Sequence, residues 1–196
     1  MLSFESLENL LSKDFSKNFS LYQNEMYIGI NINIEKLYLL IKHLKEHDQL
    51  KFNQLIDITA IDYPSRELRF DVIYIFLSLS LNQRFVVKTA LKENDTLQSI
   101  TDLYKSANWY ERECYDLFGI KFNNHPDLRR IMTDYNFEGH PLRKDFPLTG
   151  HNEVRYSEDE KKVIYEPVKL EQNYRNFDYE SPWEGTKYIK SQNEKK

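Results

Sequence analysis

The chain has one cysteine and few glycines, and these two shortages exclude several kinds of chemistry. Cys114 is the single cysteine among 196 residues. It cannot form an intrachain disulfide or supply the four thiolates that an iron–sulfur cluster usually takes. The 5 glycines form neither of the phosphate-binding loops G-x-G-x-x-G and G-x-x-x-x-G-K-[ST]. The sequence therefore predicts a reducing compartment, and neither a nucleotide loop nor a cluster held by this chain alone.

Metal-ligand spacings and serine-nucleophile signatures are also missing. His125, His140 and His151 lie too far apart along the chain to form an H-x3-H or H-E-x-x-H pair. No G-x-S-x-G turn is present to expose a serine nucleophile. We therefore expect no resident metal and no serine hydrolase site.

Long apolar runs and basic clusters are absent as well. The longest apolar run, 72-VIYIFLSLSL-81, falls short of the roughly 18 residues that a membrane-spanning helix needs, and its composition favours a strand. The net charge is -4, and no Lys/Arg cluster supplies the basic surface that nucleic acid requires. Glu5, Glu8 and Asp14 do not fit an acid-poor transit peptide. We expect a globular protein with neither a membrane span nor a nucleic-acid partner.

Apolar periodicity predicts an α/β core domain over residues 1–120. The predicted elements, in order, are a short helix over 4–16, a strand over 25–32, a helix over 35–47, a strand over 54–64, a hairpin over 69–91, and helices over 97–104 and 109–119. Gly119 is predicted to cap the last helix. The first hairpin arm is apolar on both faces and predicts a central strand. The fold class is α/β, with a mixed sheet and packed helices.

The pattern changes in residues 121–196. Five of the six prolines and three of the five glycines follow residue 119, and apolar periodicity fades. Ordering each backbone residue costs about 1 to 2 kcal/mol, and isolated aromatic residues among charges offer little burial to offset that cost. The sequence predicts a long extended C-terminal arm that lies on another protein.

Charged residues crowd the helix predicted over 109–119. Glu111 and Glu113 point about 200° apart at 100° per residue, so they are not a facing catalytic pair. Arg112 and Asp116 share a face at i and i+4 and are predicted to form an ion pair. We favour salt bridges that fix this helix against its neighbours over acid–base chemistry.

Two further candidates are weighed at the same helix. Cys114 lies among acidic residues, which raise the pKa of a thiol, so it is predicted to be a half-buried packing residue. Glu113 and His125 are retained as the acid–base pair of an autonomous hydrolase, the third interpretation of the chain.

The loop 139-GHPLRKDFP-147 is stiffened by its prolines. One interpretation is an ordinary surface loop. The favoured one is an interface, because a stiff polar loop loses little entropy on docking and its charges form charge-assisted bonds with a neighbour. The charged members are Arg143, Lys144 and Asp145.

One pattern of residues begins in this helix and continues past it: Glu111, Arg112, Glu113, Asp116, Leu117, Phe118, His125, Arg129, Ile131 and Met132. It resembles the signature of a known family, the thirty-kilodalton subunit of respiratory complex I, the proton-pumping NADH:ubiquinone oxidoreductase. Segments 136–156 and 165–183 are similar to the mitochondrial and related bacterial form, and weaker likeness covers most of 25–185. Cys114 and Asn136 depart from the usual pattern.

The resemblance implies an α/β domain whose C-terminal extension wraps the forty-nine-kilodalton quinone-site subunit in the peripheral arm. It implies no cofactor in this chain, with FMN and iron–sulfur clusters in partner subunits. Arg143, Lys144 and Asp145 would face the neighbour, and Trp183 is the candidate buried anchor.

The same resemblance predicts a location on the matrix side of the mitochondrial inner membrane. A composition rich in Asn, Lys, Ile, Tyr and Phe is typical of an AT-rich genome and favours an organelle gene. The alternative is the equivalent subunit of a plastid plastoquinone reductase or a membrane-bound hydrogenase. Such versions commonly lack or alter the tail that runs from E-V-R-Y to S-P-W here.

Overall fold

The computed structural model describes residues 3–15, 19–170 and 172, and these fall into two compact units, one ending at Leu148 and one starting at Thr149. The first unit contains α1 (Phe4–Phe15), β1 (Phe19–Gln23), β2 (Ile28–Ile32), α2 (Ile34–Glu46), β3 (Gln54–Asp62), β4 (Phe70–Ser78), β5 (Gln83–Leu91), β6 (Thr96–Gln98), α3 (Ala107–Phe118) and β7 (Lys121–Asn123). The second contains β8 (Asn152–Ser157) and β9 (Lys162–Pro167). No helix in the described ranges has the length and apolarity to cross a membrane.

A five-stranded sheet organises the first unit, in the order β1-β2-β5-β4-β3. The β2–β5 pair is parallel and the other pairs are antiparallel. Residues rich in β-branched and aromatic side chains form β4 and β5, as expected of strands at the centre of a sheet. The predicted α/β class with a mixed sheet and packed helices is confirmed.

The core lies between one face of this sheet and the three helices. Alternate residues of β4, from Phe70 to Phe76, are almost completely buried on that face. The stripe predicted on α2 meets them, because Leu37, Leu40 and Leu44 are at most 1% exposed. Period two in the strand and period 3.6 in the helix therefore converge on one apolar layer.

The third helix covers the open edge of the sheet at β3. Cys114 on α3 is buried, and its thiol donates to the carbonyl oxygen of Ile58 in β3 at 3.3 Å. An edge strand exposes unpaired backbone groups, and a helix laid against it protects them. Gly119 ends α3 with φ 78°, as the sequence predicted. Cys114 is a packing residue, more deeply buried than predicted.

The predicted helix over residues 97–104 is wrong. Residues 96–98 form β6, which pairs in parallel with β7, and a single helical turn follows. Leu97, Ile100 and Tyr104 are all buried, so their helix-like spacing reflects three anchors of an irregular segment. The backbone N–H of Ile100 donates to the side chain of Glu111 instead of continuing a helix.

The second unit contains a β-hairpin that the sequence interpretation missed. Strands β8 and β9 pair in register over six residue pairs, inside the part predicted as an extended arm without its own core. The predicted domains 1–120 and 121–196 stay a prediction, because compactness does not measure independent folding. Residues 121–148 belong to the first unit in space.

Candidate functional site

Asp116 is the centre of the site that α3 builds. Its carboxylate is fully buried and accepts the backbone N–H groups of Ile131, Met132 and Thr133 at 2.7 to 3.0 Å. The Thr133 hydroxyl and the Arg130 guanidinium each donate to the other carboxylate oxygen at 2.6 Å. One carboxylate therefore fixes the whole 130–133 turn against the helix.

The electrostatics of Asp116 agree with this anchoring role. Burial by itself raises the pKa of this carboxyl, but the bonds from Thr133, Arg130 and the Met132 N–H outweigh it and hold the pKa well below its ordinary range. Asp116 is therefore ionised at neutral pH. A carboxylate saturated with donors in this way is a structural anchor, not a proton-transfer group.

Arg112 fixes the same turn but does not pair with Asp116. Its Nε donates to the carbonyl oxygen of Arg129 at 3.1 Å, and its Nη2 donates to that of Arg130 at 3.0 Å. The predicted Arg112–Asp116 ion pair is wrong, because Arg130 occupies the carboxylate at 2.6 Å. Arg112 and Asp116 both form hydrogen bonds with residues 129–133 and not with each other.

The surface beside this turn remains open. Arg129 is paired with Asp127 at 2.9 Å, and both side chains are more than half exposed. Trp109 and Met132 are 69% and 63% exposed. Tryptophan, methionine and arginine are enriched in protein interfaces, so this surface suits a protein neighbour better than a small molecule.

Glu111 and His125 form the second buried part of the site. Oε1 of Glu111 accepts the Ile100 N–H at 2.8 Å, whereas Oε2 has no hydrogen-bond partner and lies 3.9 Å from Nε2 of His125. Nδ1 of His125 accepts the Asp127 N–H, and its Nε2 lies 3.0 Å from the carbonyl oxygen of Asn108. These contacts assign the imidazole proton to Nε2.

The hydrolase suggested by Glu113 and His125 is not assembled. The structure places His125 against Glu111, with both side chains completely buried. Glu113 lies on another side of α3 and makes no hydrogen bond or ion pair with a described residue. A buried imidazole without access to substrate cannot act as the base that this interpretation needs.

Replacing Glu111 by glutamine is expected to change how stability depends on pH. Burial raises the pKa of Glu111 to about 7, although the bond from Ile100 opposes the shift. A raised folded-state pKa stabilises below the unfolded value, and this contribution is lost as pH rises towards 7. Relative to Glu111→Gln, the unmodified full-length chain should lose up to about 3 kcal/mol between about pH 5 and about pH 8. Urea unfolding of both chains checks this.

The control for that experiment is Glu113→Gln on the same helix. His125 and Asp102 also act on Glu111, so the informative quantity is the difference between variant and parent at each pH. Parallel stability curves for Glu111→Gln and the parent would show that Glu111 does not take up a proton in the folded chain.

The opening part of the 139–147 loop caps the C-terminal end of α3. The last four carbonyl groups of a helix lack intrahelical partners, and here each finds one. The donors are the N–H of Gly119 for Tyr115, Nδ1 of His140 for Asp116, the N–H of Leu142 for Leu117 and Nε of Arg143 for Phe118. A Cβ at Gly119 would lie 2.5 Å from Arg143 and 2.7 Å from His140, so only glycine permits this approach.

An ion-pair network around the buried Asp62 joins the rest of this loop to the β3–β4 hairpin. Arg69 makes two bonds to Asp62 at 2.8 and 3.0 Å and contacts Asp145 at 2.9 Å. The Lys144 N–H also donates to Asp62 at 2.7 Å. The Arg69 guanidinium, aided by the Lys144 N–H, lowers the pKa of Asp62 despite its burial.

The three charged residues predicted to face a neighbour are therefore placed differently: two have partners within this chain and one is exposed. Arg143 bonds to Glu93 at 2.7 Å and Asp145 bonds to Arg69, both inside the first unit. The Lys144 side chain is exposed. The interface role of Arg143, Lys144 and Asp145 stays a prediction, and Trp183 lies outside the described residues.

The residues that hold this site together were missed from sequence. Asp62 and Arg69 flank the β3–β4 turn. Glu93 and Arg130 come from distant parts of the chain, so no local spacing links them to that turn. Charged residues within otherwise apolar strands, such as Asp62 at the end of β3, were the available signal. Across the described ranges, no group of three His, Cys, Asp or Glu side chains is arranged to hold a metal ion.

Comparison with known proteins identifies the class of this fold and site. The family described as respiratory-chain NADH dehydrogenase, 30 Kd subunit, matches residues 30–152. The chain belongs to this family, which confirms the resemblance carried by Glu111 to Met132.

Individual relatives extend the match over most of the chain. The corresponding NADH-quinone oxidoreductase subunit of Ruegeria pomeroyi is 53% identical over 169 residues, covering 86% of this chain and 84% of the relative. The same subunit of a Jannaschia species is 58% identical over 168 residues, covering 86% and 81%. One chain of an archaeal membrane-bound sulfane sulfur reductase shares the fold, with TM-score 0.63 and 23% identity over 82% of this chain and 98% of that chain.

Proposed function

We propose that the chain is a core, cofactor-free subunit of the peripheral arm of a proton-pumping NADH:quinone oxidoreductase, where it supports the quinone-reducing module and its assembly. The buried signature cluster carries this proposal. The side chains of Asp116, Glu111 and His125 are completely buried, and every hydrogen bond that they make is to another group of this chain. Such a site stiffens a scaffold and leaves the redox chemistry, with FMN and iron–sulfur clusters, to neighbouring subunits.

The β8–β9 hairpin supplies the contact surface. Val154 pairs with Tyr165, and Tyr156 pairs with Val163, so the four side chains share one face. Each is 54 to 61% exposed. An isolated two-stranded hairpin is marginally stable in water, and an apolar face of this kind marks an interaction site. We assign this face to the forty-nine-kilodalton subunit that binds quinone.

Substituting Tyr156→Ser together with Val163→Ser is expected to reduce incorporation of the chain into the complex by about tenfold or more. Losing burial of one Tyr and one Val costs more than the 1.4 kcal/mol that corresponds to tenfold in affinity. The measurement is the amount of tagged chain recovered with the large subunit, together with NADH:quinone activity.

The matched control places the same number of serines in the polar turn, as Glu158→Ser with Asp159→Ser. This pair should assemble normally, since both residues are exposed and outside the apolar face. Equal recovery of the two double variants would show that the apolar face of the hairpin is not part of the interface.

The proposed location is the matrix side of the mitochondrial inner membrane, with an organelle gene. In intact cells, synthesis of the chain should then continue when cytosolic ribosomes are inhibited and stop when organelle ribosomes are inhibited. The opposite response would contradict an organelle gene and leave the assembly proposal standing.

A further inference from the structure

The face of the sheet opposite the helices carries an apolar column. Side chains alternate between faces along a strand, so Ile73, Ile75 and Leu77 of β4 point away from the core that Phe70 to Phe76 enter. Val86 of β5 lies opposite Ile75 and extends the column sideways. We call these four residues and their flanking side chains the outer face.

No helix in the described part of the chain covers this column. The buried residues of α1, α2 and α3 belong to the cluster on the other side, with Phe70, Val72, Tyr74 and Phe76. Ile73, Ile75 and Leu77 are half-buried and lie outside that cluster. A central strand with apolar residues on both faces is typical of a sheet covered on both sides.

One side of the outer face is already filled from within the chain. The ring of Tyr22 lies directly over Gly29 of β2, where an added Cβ would be 2.2 Å from the ring. Gly29 pairs with Val86, so this ring marks the boundary of the open part. The remaining opening covers β5, β4 and β3.

Opposite charges flank the apolar column. Arg84 and Lys88 lie on β5, opposite Leu77 and Ile73 respectively. Asp57 lies on β3, opposite Ile75. Lys88 is already paired with Asp71 of β4, at 3.4 Å. Arg84 is exposed and Asp57 half-buried, and neither forms an ion pair with a described residue.

The width of the opening fits one helix. Neighbouring strands lie about 4.8 Å apart, so β5 and β3 are separated by about 10 Å. An α-helix with its side chains is about 10–12 Å across. Helices laid on a sheet face are one of the few stable layer arrangements.

We propose that an amphipathic helix of another subunit of the same complex covers the outer face. Its apolar stripe lies along Ile73, Ile75 and Leu77. Its acidic side faces Arg84, and its basic side faces Asp57. This inference rests on the proposed function, because it needs a neighbouring subunit. The charge pattern sets the direction of the stripe and discriminates against helices of the reverse pattern.

Site-specific photo-crosslinking in the assembled complex tests the proposal. Ile73 and Leu77 are replaced, in separate variants, by p-benzoylphenylalanine, and Leu39 on α2, which is 58% exposed, serves as the control position. Each variant is irradiated after the complex has been purified and its NADH:quinone activity confirmed. Crosslinked peptides are then sequenced by mass spectrometry.

We expect Ile73 and Leu77 to crosslink to one segment of one other subunit. The two positions are about 13 Å apart along β4, so their targets should lie about nine residues apart if that segment is helical. Leu39 should not crosslink to this segment. Targets in a second copy of the chain or in residues 173–196, or no crosslink in an active complex, would each overturn the proposal.

A charge exchange gives a second, independent test. Arg84→Glu should reduce assembly about tenfold, whereas Lys42→Glu, an exposed position on α2, should not. Introducing lysine at the crosslinked acidic position should restore assembly of Arg84→Glu. Absence of rescue would refute the charge pairing. A chain that purifies alone would instead contradict the proposed function itself.

Discussion

Replacing Asp116 by alanine is expected to lower the free energy of unfolding of the full-length chain by about 3–5 kcal/mol. The substitution leaves the Arg130 guanidinium and the N–H groups of residues 131–133 without their acceptor. A buried donor that loses its partner costs about 1–3 kcal/mol, and more when it is charged. Urea unfolding at neutral pH measures the loss.

Glu113→Ala is the matched control, since it removes a carboxylate from the same helix that has no described bonding partner. It should change stability by less than about 1 kcal/mol. The advantage of the parent over Asp116→Ala should narrow as pH falls below about 4, because a lowered folded-state pKa stabilises only while the carboxyl is ionised. Equal losses for Asp116→Ala and Glu113→Ala would disprove the anchoring role.

The second large effect is expected for Arg69→Met, also at about 3–5 kcal/mol. Asp62 is 3% exposed, and methionine leaves its charge buried without its main partner. Arg69→Lys keeps the charge but loses the two-bond fork, so it should fall between the parent and Arg69→Met. Two measurements check this: the free energy of unfolding in urea, and the rate of hydrogen exchange at the amide of Lys144, whose N–H donates to Asp62.

A double variant separates charge burial from simple loss of contacts. Asp62→Asn in the Arg69→Met background removes the unpaired charge and should recover part of the stability. Further destabilisation by the second substitution would mean that the Asp62 charge is compensated by other groups.

Local patterns predicted the elements whose residues are buried in a regular order. The stripe of α2 and the β4–β5 hairpin are set by side-chain periods of 3.6 and 2, and both appear with nearly the expected bounds. The prediction of a helix around Leu97 and Ile100 failed because the geometry of this segment depends on Glu111 and on pairing with β7. These contacts are distant in sequence and have no period.

The site shows the same division. The signature residues were found from sequence, and Gly119 was assigned its capping role correctly. Their partners were not found, because Arg130 follows Asp116, and His125 follows Glu111, by 14 residues that include the end of α3 and strand β7. A helical spacing rule could suggest only the pair with Arg112. The β8–β9 hairpin was missed although Val154 and Tyr156 alternate with charged residues, because each strand is only six residues long and this period-two pattern covers just two apolar positions in β8.

The capping of α3 by residues 140–143 also has a consequence for synthesis on the ribosome. Arg143 follows Gly119 by 24 residues, and elongation proceeds at about 5–20 residues per second. The residues that donate to the last carbonyl groups of α3 are therefore synthesised roughly one to five seconds after the helix itself. During that interval the carbonyl groups of Asp116, Leu117 and Phe118 have only water as a hydrogen-bond donor.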